Sequence, residues 1–180
     1  MLLIGCKPPG RHTEQHDVLF AIGNTPNDLV SQINNFWPEA EGRIHLDAWR
    51  EVTNVSGYQI LVVEKTASAA QQNNKLFFIN LGGYLEGQFD EQHYVLLSVE
   101  PDSASAIKNA KQSLFYQNNE FDTAPSHIDD KYGIDVDDLY DVEDILLPEL
   151  KAKYTIQITE AAALPEDEIH LGYFKLSKLA

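Results

Sequence analysis

The sequence predicts an α+β fold, a tandem duplication of a β-β-α-β-β unit packed as a compact pseudo-two-fold structure. Three observations carry that expectation. A Glu-Gln-His triplet followed by an apolar run occurs twice, as "EQHDVLFAIG" from Glu14 and as "EQHYVLLSVE" from Glu91. The flanking segments recur in the same order: "LLIGCKPPG", "TPNDLVSQINNFW" and "RIHLDAW" are answered by "KLFFINLGG", "DSASAIKNAKQSLFY" and "SHIDDKY". Self-similarity of this kind marks repeated supersecondary units. Between the copies lies "KTASAAQQNN", small and polar with no apolar period, which reads as a linker.

The expected organisation is a first repeat over residues 1–64, a linker over 65–74, a second repeat over 75–160, and a C-terminal segment over 161–180 with a final strand. Two copies of one unit pack most simply as the subunits of a dimer would. The openings "LLIG" and "KLFFINL" are short apolar runs bounded by Gly and Pro, and read as strands. "DVLFAIG" and "YVLLSV" are continuous enough for burial on both faces. The first helix starts at Thr25, a good N-cap, with Pro26 in the first turn and Asp28 three residues after the cap. Leu29, Val30, Ile33, Phe36 and Trp37 share one face at helical spacing, and Pro38 ends the helix. The second helix starts near Asp102 or Ser103, with Ile107, Ala110, Leu114 and Phe115 as its apolar face. "YQILVVE" and "YTIQITE" read as later strands, and "EIHLGYFKL" as the last. One helix per unit cannot cover both faces of a sheet. The open face must meet the other repeat, a second chain or a ligand.

The chain has 180 residues, 43% apolar and 23% charged, ordinary for a globular protein. Its formal net charge is -15. Such a surface repels phosphate backbones and anionic membranes, so neither nucleic acid nor a membrane is an expected partner. The lone cysteine, Cys6, excludes an intrachain disulfide and fits a reducing, cytoplasmic compartment. The opening "MLLIGC" has the look of a lipoprotein box but no basic segment or apolar stretch before it, so it reads as a first strand with a buried cysteine.

The patterns "KLFFINLGGY" with "HY" and "SHIDDKYGIDVDDLYDVEDIL", and the upstream "IHLDAWREV", resemble the bacterial domain of unknown function 1543 family in a tandem two-copy form. The resemblance covers nearly the whole chain. It implies a duplicated domain and a bacterial origin, and no activity, cofactor or catalytic residue.

The residues that suggest chemistry are His16, His45 and Asp47, matched in the alignment of the halves by His93, His127 and Asp129. Residues i and i+2 of a strand share a face, so each His-x-Asp pair can present two ligand types together. Two His and a carboxylate with an open position suit Zn²⁺ or Fe²⁺. The structural alternative has each histidine bonded to its own local partner. From Leu2 to His16 is 14 residues and from Phe77 to His93 is 16, which predicts that at most one repeat brings its ligands to one centre. The segment from Asp129 to Glu149 holds nine acidic residues and one basic one, lacks the order of an EF-hand loop, and reads as an ordered segment with an acidic outer face. A docking surface for a basic protein is its sharper reading. "LGGY" at Leu81 and "KPPGRH" at Lys7 read as equivalent connections whose glycines serve a turn. No nucleophile elbow or phosphate-binding loop is present.

The expected function is a non-catalytic binding or interaction protein with a small ligand or a protein as partner, and a homodimer as one assembly. A metal-dependent enzyme built on the His/Asp sets and an acidic inhibitor that mimics DNA charge are the alternatives. The cofactor and any catalytic residue are left open by the sequence.

Overall fold

A computed structural model describes residues 1–66, 72–84, 87–113 and 134–179. The fold is α+β. Strands β1 (Leu2–Cys6), β2 (Gln15–Leu19) and β3 (His45–Trp49) form an antiparallel sheet with β1 in the middle. Helix α1 (Pro26–Phe36) connects β2 to β3. The short β4 (Asn54–Val55) and β5 (Tyr58–Glu64) follow. In the second half β6 (Lys75–Tyr84) lies between β7 (Glu91–Glu100) and β8 (Ile134–Asp141), and helix α2 (Ser103–Lys111) follows β7. Helix α3 (Pro148–Lys153), β9 (Tyr154–Glu160) and β10 (His170–Lys175) complete the chain.

The sequence reading expects a sheet of about four strands per repeat. The later strands instead leave their own sheets. β5 and β9 pair with each other along their full length, with β4 beside β5. β10 returns to the first sheet and extends it at β3. The reason is burial: Ile60 and Ile156, on the same side of the β5–β9 ladder, both enter the central core.

Alternation along the middle strands sorts the residues into layers. Leu2, Ile4 and Cys6 bury against α1, whose Ile33 is completely buried among them. Phe77, Ile79 and Leu81 bury against α2 at Ala106 and Ala110. The intervening residues face away from the helices. Leu76 and Phe78, with Leu97 and Val99, share one core with Phe20 from the first sheet, against which Met1 and Val18 pack. The Phe20 and Phe78 rings meet edge to face at 5.6 Å. The helix-free faces of the two sheets therefore cover each other.

Helix α1 begins as its sequence dictates: Asp28 Oδ2 accepts from the Thr25 and Asn24 N–H groups at 2.9 and 3.0 Å, which holds its carboxyl below the ordinary range. Gln32 ties the helix to the strand exit through both backbone groups of Ile22. On α2 the buried face is Ala106 and Ala110, while Ile107 is exposed, and Leu114 and Phe115 lie outside the described residues. Small residues let α2 approach β6 closely. Cys6 is buried, and burial pushes its thiol up. "LGGY" proves to be strand, the end of β6, and not a connection.

Replacing Ile33 by Ala removes the one fully buried apolar side chain of α1 and leaves a cavity under β1. A loss of about 2–5 kcal/mol is expected in a denaturant-unfolding experiment.

Candidate functional site

Directly opposed residues of an antiparallel pair project to the same face. Gly5, in the middle strand, lies opposite His16 on one side and His45 on the other. All three belong to the helix-free face, with only a glycine between the two histidines. A Cβ added at Gly5 would sit 2.5 Å from both Asp47 Oδ2 and His45 Nε2. The space above Gly5 is the space these side chains use.

Asp47 reaches the same point through a β-bulge. Ile4 opposes Leu46 and Leu3 opposes Ala48, so Asp47 is the extra residue of β3. A bulge re-aims the side chain it carries. Glu14 enters from just before β2. His16 Nε2 stands 3.1 Å from Asp47 Oδ2 and 3.8 Å from Glu14 Oε2. His45 Nε2 stands 3.3 Å from Glu14 Oε1 and 3.3 Å from Asp47 Oδ1. Two imidazole nitrogens and two carboxylates thus interleave over one glycine.

The His45 side chain is only 6% exposed, and its Nε2 has no hydrogen-bond partner among the described residues; nor has Asp47 Oδ2. His45 Nε2 is close to two carboxylates yet aligned for a hydrogen bond with neither. An unmade bond of a buried polar atom costs about 1–3 kcal/mol. His16 and Glu14 are each 46% exposed on the side chain, so the cluster opens to solvent on their side.

The C-terminal strand forms the other wall. Asp167 accepts from the N–H and hydroxyl of Thr53, and Asn54 Nδ2 donates to the Leu164 and Pro165 carbonyls. These bonds lead the chain back to β3. β10 is itself irregular opposite Asp47, between Leu171 and Phe174. Tyr173 there stacks on His45 with ring centroids 4.2 Å apart, and His170 stacks on Trp49 at 3.9 Å.

The second half repeats part of this layout. Gly82 lies opposite His93 and opposite Asp135, and Asp137 is the extra residue of a bulge between Asn80 and Leu81. A Cβ at Gly82 would collide with the Asp137 carboxylate. His93 Nε2 is 3.7 Å from Glu91 Oε2 and 3.5 Å from Asp137 Oδ2.

The structure therefore brings His16, His45 and Asp47 together. His93 stands apart from them in the other sheet, with Glu91 and Asp137. His127 and Asp129 lie outside the described residues. The register puts Asp135 and Asp137, not His127 and Asp129, at the positions of His45 and Asp47. The loop-length expectation also changes. Gly5 pairs with His16 and Gly82 with His93, so both hairpins close over the same interval, and Leu2 is not the counterpart of Phe77. Glu14, Glu91, Asp137 and the two glycines went unread as site residues. The signal for the glutamates was inside the repeated triplet itself, two residues before each histidine. The signal for Asp137 was "IDVD", which shares its first and last letters with "IHLD" and takes the same register opposite the middle-strand glycine.

Residues 11–62 match the family described as Domain of Unknown Function (DUF1543), the family the sequence resembles. No curated protein matches the chain. Among solved structures the fold is similar to that in "Crystal structure of a protein Il1583 from Idiomarina loihiensis", with a TM-score of 0.65 and 18% identity, over 97% of this chain and 94% of that one. Among the described residues no helix is long and apolar enough to cross a membrane.

Because the cluster occupies the space above Gly5, Gly5→Ala is expected to displace His45 and Asp47. The expected loss is about 1–3 kcal/mol, as for overpacking of a close-packed site. It should appear in a thermal melt together with a shifted His45 imidazole resonance.

Proposed function

We propose that this chain is a divalent-metal-binding protein whose first sheet holds a Zn²⁺- or Fe²⁺-type ion among Glu14, His16, His45 and Asp47. The observation that carries the reading is the buried, unpartnered His45 Nε2 with carboxylate oxygens 3.3 Å away on two sides. Metal bonds of about 2.0–2.2 Å in a tetrahedral arrangement place ligand atoms roughly 3–3.5 Å apart. Each histidine nitrogen lies near an oxygen of both carboxylates, His16 Nε2 at 3.1 Å from Asp47 Oδ2 and 3.8 Å from Glu14 Oε2, and His45 Nε2 at 3.3 Å from Asp47 Oδ1 and from Glu14 Oε1. A cation would give each lone pair its partner and offset the repulsion of two adjacent carboxylates. Two imidazoles with carboxylates are the donor set of Zn²⁺ and Fe²⁺ sites.

Binding without catalysis is the primary reading. A metal-dependent enzyme is the second, favoured by the exposure of His16 and Glu14, which leaves one side of the bound ion open to a substrate or water. The acidic-decoy reading gains nothing from the fold, since Val136, Leu139, Val142 and Leu146 of the acidic segment serve the cores. We also infer that the chain is a tandem duplication. In its support, β1 and β6 are each the middle strand, each carries the glycine opposite a histidine, and each faces a bulge at Asp47 or Asp137. In the β5–β9 ladder Leu61 opposes Gln157, each the fourth residue of its strand, as a two-fold axis between them requires. A bacterial, cytoplasmic protein is consistent with this reading.

Untagged protein, stripped with chelator and titrated with Zn²⁺ by calorimetry, is expected to bind with a marked rise in melting temperature. Removing a group that only orients a metal ligand costs 10–100-fold in affinity, so His45→Ala, which removes a ligand, should cost at least about 100-fold. Wild-type and His45→Ala proteins with the same Zn²⁺ affinity would overturn the proposal.

A further inference from the structure

We propose that the second sheet carries a separate cation site, formed by Glu91, His93 and Asp137, that takes harder, oxygen-preferring divalent ions such as Mn²⁺ and fills independently of the first. One ligand atom from each of the three residues lies within 4.8 Å of the others. This goes beyond the first cluster in residues, in location and in the class of ion.

Three features set the triad apart from an ordinary exposed acidic group. The donors come from two different strands, β7 and β8, on either side of the middle strand β6. The side chains meet above Gly82, where any Cβ would strike the Asp137 carboxylate, so the backbone beneath is shaped to the cluster. The bulge at Asp137 spends a ladder position to aim a carboxylate onto that glycine, although an unbulged strand would pair better. Two carboxylates held this close repel each other unless a positive charge stands between them. A metal ion bound by His93 and both carboxylates supplies it. The 3.7 and 3.5 Å separations of His93 Nε2 from Glu91 and Asp137 are long for charge-assisted hydrogen bonds, which run about 2.7–2.9 Å, and suit two ligands flanking a shared ion.

The class of ion follows from the donors. The first cluster offers two imidazoles and two carboxylates. Here there is one imidazole and two carboxylates, and an aspartate, Asp135, stands at the register position of His45. Exchanging nitrogen for oxygen donors moves preference away from Zn²⁺ and toward Mn²⁺ or Mg²⁺. The His93 and Glu91 side chains are 49% and 35% exposed, which leaves room for the waters such ions keep.

The test is a Mn²⁺ titration of the untagged, chelator-treated full chain, followed by paramagnetic broadening of backbone amide signals. Gly82 and Gly5 report the two sites separately. The amides around Gly82 are expected to broaden at lower Mn²⁺ than those around Gly5. Broadening at Gly82 should persist in His16→Ala/His45→Ala and need at least about tenfold more Mn²⁺ in His93→Ala/Asp137→Asn. His16 and His93 are about half exposed, the buried His45 lies in the other sheet from Gly82, and the dispersion of the amide spectrum confirms folding of each variant. No broadening at Gly82, or broadening unaffected by His93→Ala/Asp137→Asn, would overturn the inference, the latter showing only diffuse attraction of cations to an acidic surface. If Zn²⁺ fails to bind at Gly5 while Mn²⁺ broadens Gly82, the first reading falls and this one stands.

Discussion

The constraint on which the rest of this structure depends is that each of the two sheets built around β1 and β6 has one helix and two faces. Helix α1 buries Leu2, Ile4 and Cys6, and α2 buries Phe77, Ile79 and Leu81. The alternate residues must find cover elsewhere, and they find it in each other. Phe20 and Phe78 meet at the centre, and the β5–β9 ladder closes the gap with Ile60 and Ile156. Sheet packing of this kind buries the apolar end of each helix-free face. Farther along the same strands the face changes character. Asn80 stands near Asp138 at 3.4 Å, and beyond it come Gly82 and His93. The candidate sites lie where the common core runs out and the strands continue.

Much of this was legible in the sequence, for a physical reason. A repeated strand–strand–helix pattern leaves a periodic trace because each element must bury one stripe, and the face of α1 was read off correctly through Ile33. The face of α2 was read less well. Ala106 and Ala110 do its packing, and alanine carries little hydrophobic signal, so the larger Ile107 drew attention to an exposed position. Strand partnership was not legible. Nothing in "YQILVVE" or "YTIQITE" says that these strands pair across the two halves, because an antiparallel ladder is specified by backbone groups common to every residue.

The site was partly legible for a related reason. His16, His45 and Asp47 could be picked out as chemistry-bearing types, and their meeting depends on register. Register also exposes where the alignment of the halves slipped. Matching "HLD" to "HID" preserved letters, whereas matching it to "DVD" preserves the pairing with the glycine of the middle strand. A bulge inserts one residue into the count, and spacing arguments that assume strict alternation lose one position there. The glutamates stand at the entries of their strands, Glu14 just before β2 and Glu91 as the first residue of β7, where a charged side chain is the usual solvated choice.

The candidate sites also stand out by what they do to stability. Glycine inside a strand costs roughly 0.5–1 kcal/mol relative to alanine. A bulge beside it removes regular pairing. Two carboxylates at close range repel, and a buried imidazole nitrogen without a hydrogen bond costs about 1–3 kcal/mol. Gly5, the Asp47 bulge, Glu14 and His45 place all four penalties within one sheet face. Any single one could be an accident of packing. Folding alone would be better served by a valine at Gly5 with an apolar pair across from it, as Leu2 opposite Leu19 shows on the other face of the same strands. Destabilising choices that converge on one point share one remedy, a cation between the carboxylates and at the bare nitrogen, and the proposed metal-binding role accounts for all of them together where packing would have to account for each separately.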